Sequence, residues 1–127
     1  MIRMIDRLTL KHRLSRYERL TFVDTRTLRE YESGHIREAV HLPVESLERR
    51  ARSILPNPGA TLVVYDEGSG ARAREGARQL IRLGYPEVLV LEGGEFEWAH
   101  EGEGVQWHVN PAPGLANPSF PTGPDMD

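Results

Sequence analysis

The sequence predicts an α/β domain of three layers, with helices on both faces of a central, mostly parallel sheet. Two observations support this prediction. Short apolar runs alternate along the chain with segments of helical periodicity, and the runs themselves are apolar without polar alternation. Continuously apolar strands are typical of a parallel sheet buried on both faces, and alternating strands and helices join through right-handed crossovers. A length of 127 residues allows one such domain.

Three segments are predicted as strands because they are short β-branched or aliphatic runs bounded by polar and turn residues: Leu20–Asp24, Thr61–Tyr65 and Glu87–Leu91. The clearest helix is predicted over Ala73–Leu83, where apolar residues recur at spacings of three and four and Gly84 supplies a stop signal. We expect further helices over Val44–Ser53, Thr27–Glu32 and Glu95–Glu101.

The two ends of the chain differ from this central region. We assign residues 1–19 to a lead-in of one strand and one helix, residues 20–104 to the core, and residues 105–127 to a proline-rich tail. Residues 110–127 hold five of the nine prolines, which is typical of an extended segment.

Charge is distributed unevenly. All 16 Lys and Arg lie in residues 1–82 beside 11 of the 19 acidic residues, and the other eight acidic residues lie in 83–127. The two parts could attract each other, or the basic part could face an anionic partner. We favour the internal attraction and expect no nucleic-acid partner, because the basic residues are spread over several elements. With no long apolar run and no signal peptide, we expect a cytoplasmic protein without membrane contact.

The sequence contains no cysteine. This excludes disulfides, thiolate metal sites, thiol nucleophiles and persulfides formed on the protein's own side chains.

The loop after Thr61–Tyr65 is the place to look for chemistry, because ligands of such folds lie at the carboxyl ends of the strands. The loop is Asp66-Glu67-Gly68-Ser69-Gly70-Ala71-Arg72, and it leads into the clearest predicted helix. A glycine-bearing turn at a helix N-terminus directs backbone N–H groups and partial positive charge at one point, so it predicts an anion cradle. The loop does not end in Gly-Lys-Ser/Thr and is too short for a dinucleotide fingerprint.

Several motifs accompany this loop in a definite order. They are Asp24-Thr25-Arg26, then Glu30-Tyr31-x-x-Gly34-His35-Ile36-x-x-Ala39-x-His41-Leu42-Pro43, then Gly84-Tyr85, and finally Leu91-x-Gly93-Gly94-x-x-x-Trp98-x-x-x-Gly102. Together with the strand TLVVY, the pattern from about Leu20 to Gly102 resembles the rhodanese-like (sulfurtransferase) family. The resemblance implies that, in active members, a cysteine directly after this strand accepts a sulfane sulfur. It also implies that the loop N–H groups stabilise the resulting persulfide anion.

Asp66 occupies that cysteine position here. Sulfur transfer through a persulfide of the chain's own is therefore excluded. The run Tyr65-Asp66-x-Gly68-x-Gly70 resembles the non-catalytic N-terminal domain of tandem sulfurtransferases, although we expect no catalytic second domain here. Glu38 is a smaller departure, since the family usually has glycine there, and it puts only the local turn in doubt.

Two roles are open for the carboxylates of the loop. Asp66 or Glu67 could accept hydrogen bonds from the free N–H groups of the helix as a built-in anion, which would close the site. Alternatively, Asp66 could act as a nucleophile or acid in phosphoester hydrolysis, although the sequence places no general base beside it.

Three arginines are candidate contacts for an anion or a partner. Arg72 and Arg74 could bind a phosphate or an acidic partner, but pairing with Asp66, Glu67 or Glu75, or simple exposure, is the favoured interpretation. Arg26 could contact a substrate, but an ion pair that fixes the loop after the first strand is favoured.

We expect no metal and no cofactor. His35 and His41 could be taken for metal ligands, but no third ligand follows at helical spacing. The leading hypothesis is a catalytically inactive domain that serves as a protein-binding or regulatory module through residues 66–74. The alternative is an accessory subunit of a cysteine-bearing sulfurtransferase.

Overall fold

The computed structural model describes residues 2–16 and 18–95, together with the backbone of a short strand at residues 107–108. In chain order the elements are β1 (Arg3–Ile5), α1 (Arg7–Ser15), β2 (Thr21–Asp24), α2 (Leu28–Ser33), β3 (His35–Ile36), β4 (Val40–His41), α3 (Leu47–Ile54), β5 (Thr61–Tyr65), α4 (Ala71–Arg82), β6 (Glu87–Leu91) and β7 (Trp107–His108).

Five of the strands form a parallel sheet in the order β1-β6-β5-β2-β4. β5 lies at its centre, between β6 and β2, so the loop that follows β5 emerges from the middle of the carboxyl edge. The strands β3 and β7 pair separately and antiparallel, with His35 opposite His108. The lead-in residues 1–19 supply β1, which forms one edge of the parallel sheet, and α1.

Successive residues of the central strands face opposite sides of the sheet, which divides the core in two. Leu62 and Val64 pack with the buried faces of α3 and α4, whereas Val63 and Tyr65 pack with Leu10 of α1. Helices therefore cover both faces, and the predicted three-layer α/β fold is confirmed.

The predicted strands Thr61–Tyr65 and Glu87–Leu91 are found with the same bounds, and the first predicted strand begins one residue later, at Thr21. The helix predicted over Ala73–Leu83 begins earlier, at Ala71, because Gly70 takes a left-handed conformation with φ 86° as its N-cap. The prediction of a helix from Val44 is wrong at its start. The amide of Ser46 bonds to the Pro43 carbonyl in a turn, and the helix begins at Leu47.

The short helix predicted over Thr27–Glu32 is observed as Leu28–Ser33. Thr27 is its N-cap, and the Thr27 and Glu30 side chains each accept a hydrogen bond from the other's backbone N–H in a capping box. The helix predicted over Glu95–Glu101 falls almost wholly outside the described residues. Within the described ranges, none of the helices is long and apolar enough to cross a membrane.

Glu38 lies in the turn between β3 and β4 with a φ of 65°. This left-handed conformation costs a residue with a Cβ atom free energy that glycine does not lose. The departure noted in the sequence is thus accommodated by local backbone strain, and the turn itself is retained.

Candidate functional site

The carboxylate of Asp66 fills the loop that follows β5. Its Oδ1 accepts hydrogen bonds from the backbone amides of Gly68 at 2.8 Å and Gly70 at 3.1 Å. Its Oδ2 accepts a third from the amide of Ala73 at 3.0 Å, in the first turn of α4. The side chain is buried, with 1% of the residue's surface exposed. Of the two roles left open by the sequence, the structure shows the built-in anion.

Glycines make this convergence of amides possible. Gly68 and Gly70 have φ angles of 143° and 86°, and the amides of both residues point toward the Asp66 carboxylate. Gly94, in the turn after β6, lies against the same loop. A Cβ atom at Gly94 would lie 2.5 Å from the Asp66 carbonyl oxygen, and the next amide, of Glu95, donates to that oxygen at 2.8 Å. The Gly93-Gly94 pair therefore supports the loop from outside.

A salt-bridge network forms one rim of the loop. Arg72 donates to both carboxylate oxygens of Glu30, at 3.0 and 3.2 Å, and to Glu67 at 2.6 Å. The hydrogen bonds from Arg72 lower the pKa of Glu30 to about 2. Burial alone would raise the pKa of Glu67, but hydrogen bonds from Ser69 and Arg72 lower it to about 2. Arg72 is thus paired with Glu67, as favoured from the sequence, and also with Glu30 on α2.

Arg74 has a different position. Its guanidinium lies over Gly70, with nitrogen and carbon atoms 3.0 to 3.3 Å from the point where a Cβ would stand. The side chain is exposed. Within the described ranges it forms no hydrogen bond or ion pair. Arg74 is therefore an exposed cation beside a loop whose own anion is buried.

Arg26 belongs to an internal hydrogen-bond network. It forms an ion pair with Asp24, which is the interpretation favoured from the sequence. It donates from Nε and Nη2 to the carboxylate of Asp24, at 2.8 to 3.2 Å, and from Nη2 to the Gly34 carbonyl at 2.6 Å. Only 4% of Arg26 is exposed. Its donors are directed inward, so it is not placed where a partner could contact it.

Tyr65 completes this network from the strand that leads into the loop. Its hydroxyl donates to Asp24 at 2.7 Å and accepts from the Ile36 amide at 3.1 Å. Burial and the adjacent Asp24 carboxylate raise the pKa of Tyr65, so the hydroxyl keeps its proton. The network links β2, β5 and β3 beneath the loop.

His35 and His41 stack on the two sides of Tyr31, with ring centroids 3.7 and 4.6 Å from the tyrosine. Their ring nitrogens lie within hydrogen-bond distance of backbone carbonyls, of Tyr31 at 2.8 Å and of Arg26 at 2.7 Å. Among the residues that the structure describes, no three His, Asp or Glu side chains cluster as a metal site would require.

Sequence reasoning missed two contributors to the site. Glu30 was identified only within a family motif, and nothing in its local sequence indicates that it pairs with Arg72, 42 positions later. Gly94 was likewise known only as part of a motif, and its close approach to Asp66 depends on how β6 lies beside β5. Trp98, also part of that motif, lies outside the described residues.

The structure is thus a three-layer α/β domain with a glycine-bearing amide cradle between its central strand and α4, at the carboxyl edge of the sheet. The model of the rhodanese-like domain matches residues 7–101. The chain belongs to the rhodanese-like domain family.

Several known proteins are similar to this chain over most of its length. A sulfurtransferase of Allochromatium vinosum is 35% identical over 102 residues, covering 80% of this chain and 92% of the relative. A putative sulfur carrier protein of Bacillus subtilis is 29% identical over 93 residues, covering 73% of this chain and 49% of the relative. Among solved structures, the Alr3790 protein from Anabaena is 30% identical with a TM-score of 0.73, over 84% of this chain and 92% of that one.

Proposed function

We propose that this domain is a non-catalytic member of its family that binds another protein through the face formed by residues 66–74. One observation carries the proposal: the three loop amides that could stabilise an anionic group are bonded to the chain's own Asp66 carboxylate. The buried carboxylate occupies the position that the resemblance assigns to a cysteine persulfide in active members.

Chemistry at Asp66 itself is disfavoured by the same contacts. Three N–H donors already occupy the carboxylate oxygens, and its 1% exposure leaves little access for a phosphoester. Within the described ranges, no histidine or lysine lies among its hydrogen-bond partners to serve as a general base. Phosphoester hydrolysis therefore has no geometric support.

The surface around the loop is suited to recognition of a protein. Arg72 pairs with both Glu67 and Glu30, so these three side chains form a rim of defined shape that carries one net negative charge. Ser69 and Arg74 are exposed beside it, and the guanidinium of Arg74 can pair with a carboxylate of a partner. Among residues 66–74, Arg74 is the exposed cation whose side chain has no partner in the described part of the chain.

The second candidate function is that of an accessory subunit in sulfur transfer. Its partner would be a cysteine-bearing sulfurtransferase. The names of two relatives, a sulfurtransferase and a putative sulfur carrier protein, favour it. The lack of a thiol in this chain would then be compensated by the partner's cysteine.

The experiment that tests the proposal has two parts. Purified protein incubated with thiosulfate and cyanide should produce thiocyanate at the blank rate, and turnover that disappears in Asp66→Ala would contradict a non-catalytic role. For binding, the protein and its Arg74→Glu variant are immobilised and exposed to lysate of the source cells, with an exposed arginine on α3, Arg49→Glu, as the matched control.

A protein retained by the wild type and by Arg49→Glu but lost with Arg74→Glu supports recognition through residues 66–74. If that protein is a sulfurtransferase whose activity rises on adding this chain, the accessory role is supported. Equal retention by the wild type and both variants would contradict binding through this face.

A further inference from the structure

A second surface lies at the opposite end of α4 from the loop. An open groove of about 490 Å³ runs between the start of the chain and the last turns of α4, and it is lined by Ile2, Arg78, Ile81 and Arg82. Its floor is aliphatic and its outer wall is basic. Ile81 is 38% exposed, an unusual degree for an isoleucine that has a core beside it.

The groove continues onto β1. Met4 pairs in register with Val90, which belongs to the core cluster on the α3 and α4 side of the sheet, so Met4 faces that side too. Met4 is 38% exposed because α4 does not extend over the edge of the sheet. Ile2, Met4 and Ile81 thus form one apolar patch beside a sheet edge.

The backbone of this edge is also available. β1 is the terminal strand of the sheet, with β6 as its one neighbour in the described part of the chain. The carbonyl of Ile5 accepts from the Glu92 amide at 2.9 Å, so the backbone polar groups of Ile5 point toward β6. Because parallel strands direct alternate residues to opposite neighbours, the N–H and C=O of Met4 point outward from the sheet.

The charge of the wall selects the kind of occupant. Arg78 donates from Nε to Glu75 at 3.3 Å, and its terminal nitrogens donate no hydrogen bond to any of the described residues. Arg82, one turn further along, is exposed on the same wall. A second copy of the chain pairing across β1 would bring the two basic walls together, which repulsion disfavours.

We propose that this groove and the β1 edge bind an extended acidic segment of another protein, which adds to the sheet as a sixth strand. The segment's backbone pairs with Met4, its aliphatic side chains lie on Ile2, Met4 and Ile81, and its carboxylates pair with Arg78 and Arg82. This mode combines main-chain hydrogen bonds for affinity with side-chain contacts for specificity. It uses a surface separate from the loop face at residues 66–74.

The probe is a fluorescein-labelled nine-residue peptide in which odd positions alternate valine and glutamate and even positions are threonine. Its counterparts carry lysine in place of glutamate, or N-methyl groups on the central threonines. Binding is followed by fluorescence anisotropy with the full chain, and amide shifts in ¹⁵N NMR spectra identify the residues contacted. The glutamate peptide should bind, with shifts concentrated at residues 2–5 and 78–82.

Two variants test the contacts separately. Arg78→Glu combined with Arg82→Glu should weaken the binding of the glutamate peptide by about tenfold and strengthen the binding of the lysine peptide. Met4→Pro removes the outward N–H, which an edge strand tolerates, and should weaken binding by about fivefold. The Arg49→Glu variant, a charge reversal on α3 outside the groove, should bind as the wild type does.

Equal binding of the N-methylated peptide would overturn strand addition, as would no detectable binding at millimolar peptide. Concentration-dependent dimerisation abolished by Met4→Pro would assign the edge to a second copy and overturn the proposal. So would slow hydrogen exchange of the Met4 amide in the free protein, because it would assign the edge to the chain's own residues. Circular dichroism checks whether Met4→Pro still folds. If it does not, the comparison of the N-methylated peptide with the unmodified one tests strand addition in the wild type.

Discussion

The amide of Ala73 donates a 3.0 Å hydrogen bond to Oδ2 of Asp66, so the first turn of α4 is capped by the residue that follows β5. This bond joins the two elements that define the loop. It makes the loop a closed structural unit, in which an anion supplied by the sequence takes the place of one that would otherwise be bound or formed there.

Asp66→Cys should create a thiol with a lowered pKa. The cysteine would lie beside the amides of Gly68, Gly70 and Ala73 at a helix N-terminus, which favours the thiolate over the usual pKa of about 8.5. Because the chain contains no other cysteine, the rate of alkylation by iodoacetamide against pH reports this group alone. Ser69→Cys, exposed on the same loop, is the matched control and should titrate near the usual value. Identical pH profiles for the two variants would contradict an amide cradle.

Asp66→Ala should lower the free energy of unfolding by about 2–4 kcal/mol, because it leaves buried N–H groups without a charged acceptor. Urea unfolding at pH 7 measures the change. Sulfate should restore part of the loss in Asp66→Ala and much less in the wild type, since only the variant has an empty cradle. A change below about 0.5 kcal/mol would show that the three hydrogen bonds contribute little.

Acid should weaken the contacts of Arg72. The pKa values of Glu30 and Glu67 are lowered to about 2 in the folded protein, so their ionised forms stabilise the fold above about pH 4.5, and this contribution is lost as the pH falls toward 2. Arg72→Gln should therefore flatten the fall in stability between pH 4.5 and 2 relative to the wild type. Chemical unfolding across this range tests it, and parallel curves for the two proteins would refute it.

Gly94→Ala should destabilise the fold by displacing the loop. The new Cβ would lie 2.5 Å from the Asp66 carbonyl oxygen, and the φ of 54° is unfavourable for alanine. Gly84→Ala is the control, since it has a φ of 102° but open space around the Cβ. Thermal and urea unfolding should show a loss at least about 1 kcal/mol larger for Gly94→Ala than for Gly84→Ala. Equal losses would mean that the close approach has no energetic consequence.

Glu38→Gly should raise the free energy of unfolding by about 0.5–1 kcal/mol, because glycine adopts the φ of 65° without the steric cost that Glu38 incurs. Glu38→Ala retains that cost and should give no gain. Urea midpoints compared at equal m-values measure both. Stabilisation by both variants would point to the removed charge as the cause.

Much of the fold follows from local pattern. Thr61–Tyr65 and Glu87–Leu91 are apolar at successive positions, and such runs form buried parallel strands wherever they pack. Helix starts were less accurate. The starts of α3 and α4 depend on the turn at Pro43–Ser46 and on the left-handed Gly70, which are set by short-range geometry that periodicity does not report.

The sequence by itself determined that this chain makes no persulfide of its own, because a composition without cysteine excludes it in any fold. It also placed an aspartate directly after the central strand. Only the tertiary structure decided what that aspartate does. Whether a carboxylate points into a loop or out of it depends on the backbone angles of Gly68 and Gly70 and on the support of Gly94, 28 residues away. These distant contacts direct the carboxylate of Asp66 inward, where it occupies the anion position itself.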